Sequence, residues 1–347
     1  MTTIGIDLHK LQSQLCIGHG DGTIEERRIM TNRDRFASIL GNYPSSRILI
    51  EASTESEWVA RHLESLGHDV IVADPNFAPM YATRSRRTKT DRRDARTLME
   101  ACRLGAYRKA HRTSDARRHV RAELAVRESL VRTRTRSMAL IKALLRRDGL
   151  RLNSTASHRF AERIAELDAS PQLRAELQPL LALLEPLNAQ IDAADERIGA
   201  LVKTDPVVAL LTTAPGIGPI TASAVVATID DITRFASAHQ FEAYLGVVPS
   251  ELSSGEKRRI GPITKAGNTR VRYLLVEAAW RLLNSKHDDV AALRAWAQGI
   301  VIRRGKKVAA VALARRLAGI LYAMWRDNQP YRAQRICMPR ARVTASS

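Results

Sequence analysis

Four carboxylates stand where divalent-metal chemistry would need them. Asp7 closes the apolar run Ile4-Gly5-Ile6, and Glu51 closes Ile48-Leu49-Ile50. Asp91 and Asp94 lie three apart in Lys89-Thr90-Asp91-Arg92-Arg93-Asp94-Ala95, at the start of a predicted helix. Two divalent ions roughly 4 Å apart repel each other, so several carboxylates must converge to hold them. Hard oxygen donors suit Mg2+ or Mn2+. The i, i+3 spacing puts Asp91 and Asp94 on one helix face. Each acid also has a plainer reading. Asp7 can be a turn residue after a strand, Glu51 a solvated strand end, and Asp91 with Asp94 a capping arrangement. The surroundings favour chemistry on phosphodiesters. Arg84, Arg86, Arg87, Lys89, Arg92, Arg93 and Arg96 would ring the acids with phosphate-attracting charge.

Acids so far apart in sequence need a fold that gathers them. Apolar runs at Thr2–Asp7, Gln14–Gly18 and Thr23–Met30 predict three strands, with the turn signal His19-Gly20-Asp21-Gly22 between the last two. A helix over Arg33–Gly41, a strand over Arg47–Glu51, a helix over Glu55–Leu66 and a strand over Asp69–Ala73 follow. This is the element order of the ribonuclease-H-like fold, in which the first and fourth strands are parallel neighbours. Such neighbours would bring Asp7 and Glu51 to one sheet edge.

The formal net charge of +19 points to polyanionic partners, nucleic acid first and an anionic membrane surface second. Aromatics make up 5% of the chain, too few for stacking on single strands to carry recognition, so the charge suits phosphate contacts. Asp7 interrupts the first apolar run, which argues against a secretory signal. The apolar stretch Val308–Met324 carries Arg315 and Arg316 at its middle, which excludes it as a membrane span. Cys16, Cys102 and Cys337 are scattered and odd in number, the pattern of a reducing cytoplasm without disulfides or a zinc site.

From Arg112 to about Lys203 glycine nearly vanishes and apolar residues recur at helical spacing. Leu124, Leu130, Met138, Ile141 and Leu145 mark one long helix; Leu180, Leu184, Leu187, Ile191, Ile198 and Leu201 mark another. Such helices fold back as an antiparallel hairpin or pair with another copy. Arg117, Arg118 and Arg121 open a strongly basic run in which only Glu123 and Glu128 offset the charge, so nucleic-acid or inter-subunit contact is expected. From about Asp205 the chain reads as mainly helical. Pro215-Gly216-Ile217-Gly218-Pro219 fits either a phosphate-holding turn between two helices or a plain tight turn. The organisation is thus α/β plus all-α: residues 1–111, a helical coiled-coil segment 112–204, a mainly helical domain 205–330 and a basic tail 331–347.

With these residues in view the chain resembles the DEDD transposases of bacterial insertion sequences, a family described as bridge-RNA-guided recombinases. The resemblance rests on Ile4-Gly5-Ile6-Asp7 followed by Leu8-His9-Lys10, Glu51-Ala52-Ser53, Thr88 to Ala95, Pro215-Gly216-Ile217-Gly218, Tyr244 to Pro249, Ser253-Ser254-Gly255 and Ile263 to Asn268. It implies a RuvC-like domain whose four acids are Asp7, Glu51, Asp91 and Asp94, and a transposase domain with a serine nucleophile. Ser254 matches that serine, with Ser253 the adjacent alternative. It further implies excision and insertion of a mobile element by strand exchange between donor and target double-stranded DNA, guided by a structured RNA that pairs with both. A serine hydroxyl needs activation; His239 and His287 are the nearest histidines and neither is well placed. Lys257, Arg258 and Arg259 would steady the phosphate, and Lys265 is a further basic contact. Strand exchange calls for several active sites, hence a homo-oligomer, dimer to tetramer. Two other readings share the charge: a metal-dependent junction resolvase or nuclease, and a non-catalytic nucleic-acid-binding scaffold.

Overall fold

Ile4, Ile6 and Leu8 alternate with Gly5 and Asp7, so an extended chain there buries one side and leaves the other for something smaller or polar. The computed structural model describes residues 2–81, 90–153, 156–254 and 257–333. In it this alternation becomes β1 (Thr3–Asp7), followed by β2 (Gln12–Gly18) and β3 (Ile24–Met30). Helix α1 (Arg33–Leu40), β4 (Arg47–Glu51), α2 (Ser56–Ser65) and β5 (Asp69–Ala73) complete the run, and α3 spans Asp91–Leu104. The sheet order is β3-β2-β1-β4-β5. Strand β1 is antiparallel to β2 and parallel to β4, which is parallel to β5. The parallel neighbours expected of the first and fourth strands are present.

The sheet is covered on both faces. Ile4, Ile6, Leu15, Ile17, Ile48 and Ile50 pack on Phe36 and Leu40 of α1 and on Val59 and Leu63 of α2. On the opposite face Leu49, Ile71 and Ala73 meet Leu98, Ala101 and Cys102 of α3, and Cys16 meets Ala95 and Met99. Each fully buried aliphatic side chain contributes roughly 1.5–3 kcal/mol, so this sandwiching fixes the register firmly. The chain divides into two compact units between Arg112 and Thr113. Arg112 ties the end of the first unit to Glu57 at 3.0 Å, and also pairs with Glu64.

The second unit begins with α4 (Asp115–Arg147), α5 (Phe160–Ala165) and α6 (Pro171–Lys203). Helices α4 and α6 run antiparallel: Glu123 pairs with Arg197, Arg127 with Asp195, Arg134 with Asn188 and Arg147 with Glu176. The intrachain hairpin, one of the two arrangements expected, is formed. Ile141, Leu145, Phe160, Ile164, Leu173 and Leu177 close its far end. Helix α6 starts well before Leu180 and contains Pro179 and Pro186.

Helices α7 (Pro206–Leu211) and α8 (Pro219–Ile229) flank the Pro-Gly turn. They are followed by α9 (Ala238–Tyr244), strands β6 (Pro249–Ser254) and β7 (Lys257–Ile263), and α10 (Thr269–Asn284). Helices α11 (Ala291–Arg304) and α12 (Lys306–Asp327) end the unit. Helix α8 is buried along almost its whole length, and Gly216, at φ 76°, lies against Leu282. Helix α12 is long and apolar enough to cross a membrane by length and composition alone. Its Leu313, Leu317 and Leu321 nevertheless belong to the core of the unit. The two mid-helix arginines are occupied: Arg315 reaches Glu242 at 2.6 Å, and Arg316 lies over the Trp296 ring at 4.6 Å.

Candidate active site

The site forms where α3 crosses the C-terminal end of β1, and a glycine permits that crossing. A Cβ on Gly5 would lie 2.2 Å from both the Ala95 carbonyl oxygen and the Met99 nitrogen, so helix backbone rests directly on strand backbone. Asp7 lies two residues beyond Gly5, about 7 Å along the strand and on the same face. Asp91 lies one turn before Ala95, about 6 Å along the helix. The two therefore arrive together. Glu51 follows Ile50, the registered partner of Ile6, and shares the face of Leu49, which α3 covers. Parallel pairing thus carries Glu51 to the flank of Asp7. Thr90 is the N-cap of α3 and accepts from the Arg93 nitrogen, so the capping role considered for Asp91 belongs to Thr90.

The Asp7 carboxyl is held above its ordinary value, first by burial and then by the negative charges of Asp94, Asp91 and Glu51, with His9 pulling the other way. Asp94, Asp91 and Glu51 therefore lie near enough to Asp7 for their charges to reach it. The side chain of Asp7 is 15% exposed and that of Asp91 47%, so the cluster opens outward on the helix side.

Neither His9 nor Arg28 is among the site residues expected from the sequence, and both reach the acids. His9 Nε2 lies 3.3 Å from Asp7 Oδ2 and 3.4 Å from Asp91 Oδ1. The alternation Asp7-Leu8-His9, with Leu8 buried, carries the signal that would have found it. Arg28 lies 3.8 Å from Asp91. Its place follows from register: Asp7 pairs with Gln14 and Gln14 with Arg28, a row across three strands. Glu26, two residues earlier on the same face, pairs with Arg92 and Arg96.

The predicted nucleic-acid contacts divide. Arg84, Arg86, Arg87 and Lys89 lie outside the described residues. Arg92, Arg93 and Arg96 line a polar cleft of about 380 Å³ with Ile24 and Glu26, beside the acids. Arg117 is committed to Asp205 and is 20% exposed, which fits a structural ion pair better than a phosphate contact. Arg118 pairs with Asp115 at 3.1 Å. Arg121 donates to the Thr113 hydroxyl at 3.2 Å and lines a cavity of about 430 Å³ with Tyr244 and Asn268. Lys265 is exposed, at φ 57°. Ser254 ends β6, where Ser253 registers with Arg258, Ser254 with Lys257 and Leu252 with Arg259. The side chains of residues 252–260 lie outside the described part of the structure.

Two family matches cover most of these residues. A family described as Transposase IS116/IS110/IS902 matches residues 208–294, which include Ser254. A DEDD transposase family of the IS110 type matches residues 4–147, which include all four acids. A probable family 20 transposase of Pseudomonas aeruginosa is 32% identical over 96% of this chain and 99% of its own length. The transposase for insertion sequence element IS1111A of Coxiella burnetii is 28% identical over 95% of this chain and 91% of its own. That for IS1328 of Yersinia enterocolitica is 28% identical over 93% and 96%. The chain is a transposase of the IS116/IS110/IS902 family.

Transposases cleave DNA and transfer its strands, and the DEDD domain implies a divalent metal. The donor set fits one. Carboxylates are hard ligands, and an Asp7 carboxylate resisted by burial and by neighbouring negative charge is what a cation would relieve.

Proposed function

We propose that this transposase excises and inserts its element by serine-mediated strand exchange, with Asp7, Glu51, Asp91 and Asp94 holding Mg2+ or Mn2+. The observation that carries the reading is geometric: Asp7 and Asp91 meet at one place, each within 3.4 Å of His9 Nε2, and the raised Asp7 carboxyl answers the charges of Asp94, Asp91 and Glu51. Bound divalent cations would polarise the phosphodiester and offset charge gathering on its oxygens. The protein's own groups bind and orient. Arg92, Arg93 and Arg96 draw the DNA backbone to the cleft beside the acids, and Glu26 keeps Arg92 and Arg96 aimed.

Ser254 is the nucleophile in this reading. Its hydroxyl attacks phosphorus, a phosphoserine bond forms, the bond to the leaving sugar oxygen breaks, and the serine proton ends on that oxygen as a free hydroxyl. Support comes from the family match across this segment and from the register that sets Lys257 and Arg258 opposite Ser254 and Ser253. Sequence choice is assigned to a structured guide RNA pairing with donor and target, since 5% aromatic content leaves little for base stacking and the exposed charge suits backbone contacts. Strand exchange between two duplexes assigns the working form to a dimer or tetramer.

The test is reaction of full-length protein with supercoiled donor and target plasmids, Mg2+ and candidate flanking RNA. Denaturing gels read the covalent protein–DNA adduct. Wild type should trap an adduct that Ser254→Ala does not form and that Asp91→Asn reduces to background. An adduct undiminished in Ser254→Ala would overturn the serine, and cleavage without any adduct would replace it with water as nucleophile.

A further inference from the structure

The acids leave a nitrogen unaccounted for. We infer that His9, through Nε2, is a direct ligand of the cation held between Asp7 and Asp91. This rests on the reading of the acids as a metal centre and adds a ligand that is not a carboxylate.

Spacing is the first argument. Nε2 is 3.3 Å from an Asp7 oxygen and 3.4 Å from an Asp91 oxygen, and donor atoms of all three residues lie within 4.8 Å of one another. In an octahedral shell with bonds of about 2.1 Å, adjacent donors are about 3 Å apart and opposite donors about 4.2 Å. His9 Nε2 is therefore separated from each of the two oxygens about as neighbours around one ion would be, with a small contraction left for binding.

The second argument is the anchoring of the backbone that carries the ring. Leu8 is buried in the sheet core, which turns His9 to the side of Asp7. The Thr31 hydroxyl donates to the His9 carbonyl at 2.8 Å, and the Thr31 nitrogen donates to the Leu11 carbonyl at 2.9 Å. Thr31 is in turn held by buried Ser13 through a 2.6 Å hydroxyl pair. The turn after β1 is thus fastened to the strand beyond it. Residues that fix a ligand in this way are common around metal sites.

A plain ion pair explains the same two distances, and the two accounts part over metal preference. Imidazole nitrogen strengthens binding of Mn2+, and more so Co2+, relative to Mg2+, whereas a clamp that only steadies carboxylates favours none of them. The ligand account predicts at least about a tenfold loss of Mn2+ affinity in His9→Ala, the loss seen even for residues that merely support a ligand. Mg2+ affinity should fall much less. His9→Gln, which still hydrogen-bonds to carboxylates, should lose Mn2+ affinity as His9→Ala does.

The deciding experiment is pulsed electron paramagnetic resonance of Mn2+ bound to the full-length protein. Nitrogen-14 modulation of the Mn2+ echo is expected in the wild type and not in His9→Ala. Bound Mn2+ without nitrogen modulation would overturn the His9 ligand while leaving the acids in place, as would modulation that survives in His9→Ala. Mn2+ that does not bind the wild type at all would overturn the acid centre and this ligand with it. If His9→Ala misfolds by circular dichroism, the wild-type spectrum and His9→Gln carry the test.

Discussion

The end of β1 and the α4–α6 hairpin both bring acids and arginines into one neighbourhood, and they use them in opposite ways. Along the hairpin acids meet bases: Glu123 with Arg197, Asp195 with Arg127, Glu176 with Arg147. At the end of β1 the acids meet one another, and Asp7 is resisted by burial and by the charges of Asp94, Asp91 and Glu51. The first arrangement lowers the energy of the folded chain. The second raises it, and such a cost persists at functional sites, where it is relieved by the ligand the site serves.

The sharpest way to break this contrast is to neutralise an acid on each side. Asp91→Asn or Asp7→Asn should cut strand cleavage by about 10³-fold or more, the scale of losing a transition-state charge stabiliser, while Asp195→Ala should leave cleavage by bound protein within about threefold. Gel assays at matched DNA occupancy measure both, and equal losses would erase the distinction. Next in size is Gly5→Ala. A Cβ 2.2 Å from two backbone atoms of α3 forces the helix off the strand, so urea unfolding should show about 3 kcal/mol or more of destabilisation.

Arg127→Ala and Asp195→Ala should each destabilise by about 1 kcal/mol, with a double-mutant cycle returning a favourable coupling, because both groups are partly exposed. The smallest effect is the most diagnostic, because its sign is reversed. Asp7 keeps its proton to higher pH when folded than when unfolded. Between its ordinary and its raised value the folded state binds more protons, so the cation-free protein loses stability as pH rises through that window. Above it, Asp7→Asn should therefore melt higher than wild type. Adding Mg2+ should raise the wild-type midpoint and not that of Asp7→Asn. A lower midpoint for the variant in the metal-free state would contradict the strain assigned to the acids.

Much of this was legible in the sequence, for identifiable reasons. Strands that alternate, as Ile4 to Leu8 does, declare their faces, and the strand and helix order fixed which strands would be parallel. The acids declared themselves as a group because each follows an apolar run or opens a helix. His9 shares the alternation with Asp7, but a lone exposed histidine carries little weight in sequence without its neighbours. Arg28 and Gln14 were out of reach, since their row depends on the registers β1–β2 and β2–β3. The basic run of α4 is partly neutralised in a way a count along the helix does not register. Asp195, Glu176 and Asp205 answer it from chain remote in sequence. The β6–β7 hairpin was hidden by its polar residues, which carry no apolar strand run.

The account turns on whether the four acids share a cation. Crystals grown with Mn2+ and measured at the manganese absorption edge test this most directly. The account predicts an anomalous peak at bonding distance from Asp7 and Asp91, with Glu51 or Asp94 completing the shell. Full occupancy of Mn2+ elsewhere on the protein, with no peak among these carboxylates under conditions that support strand cleavage, would contradict it.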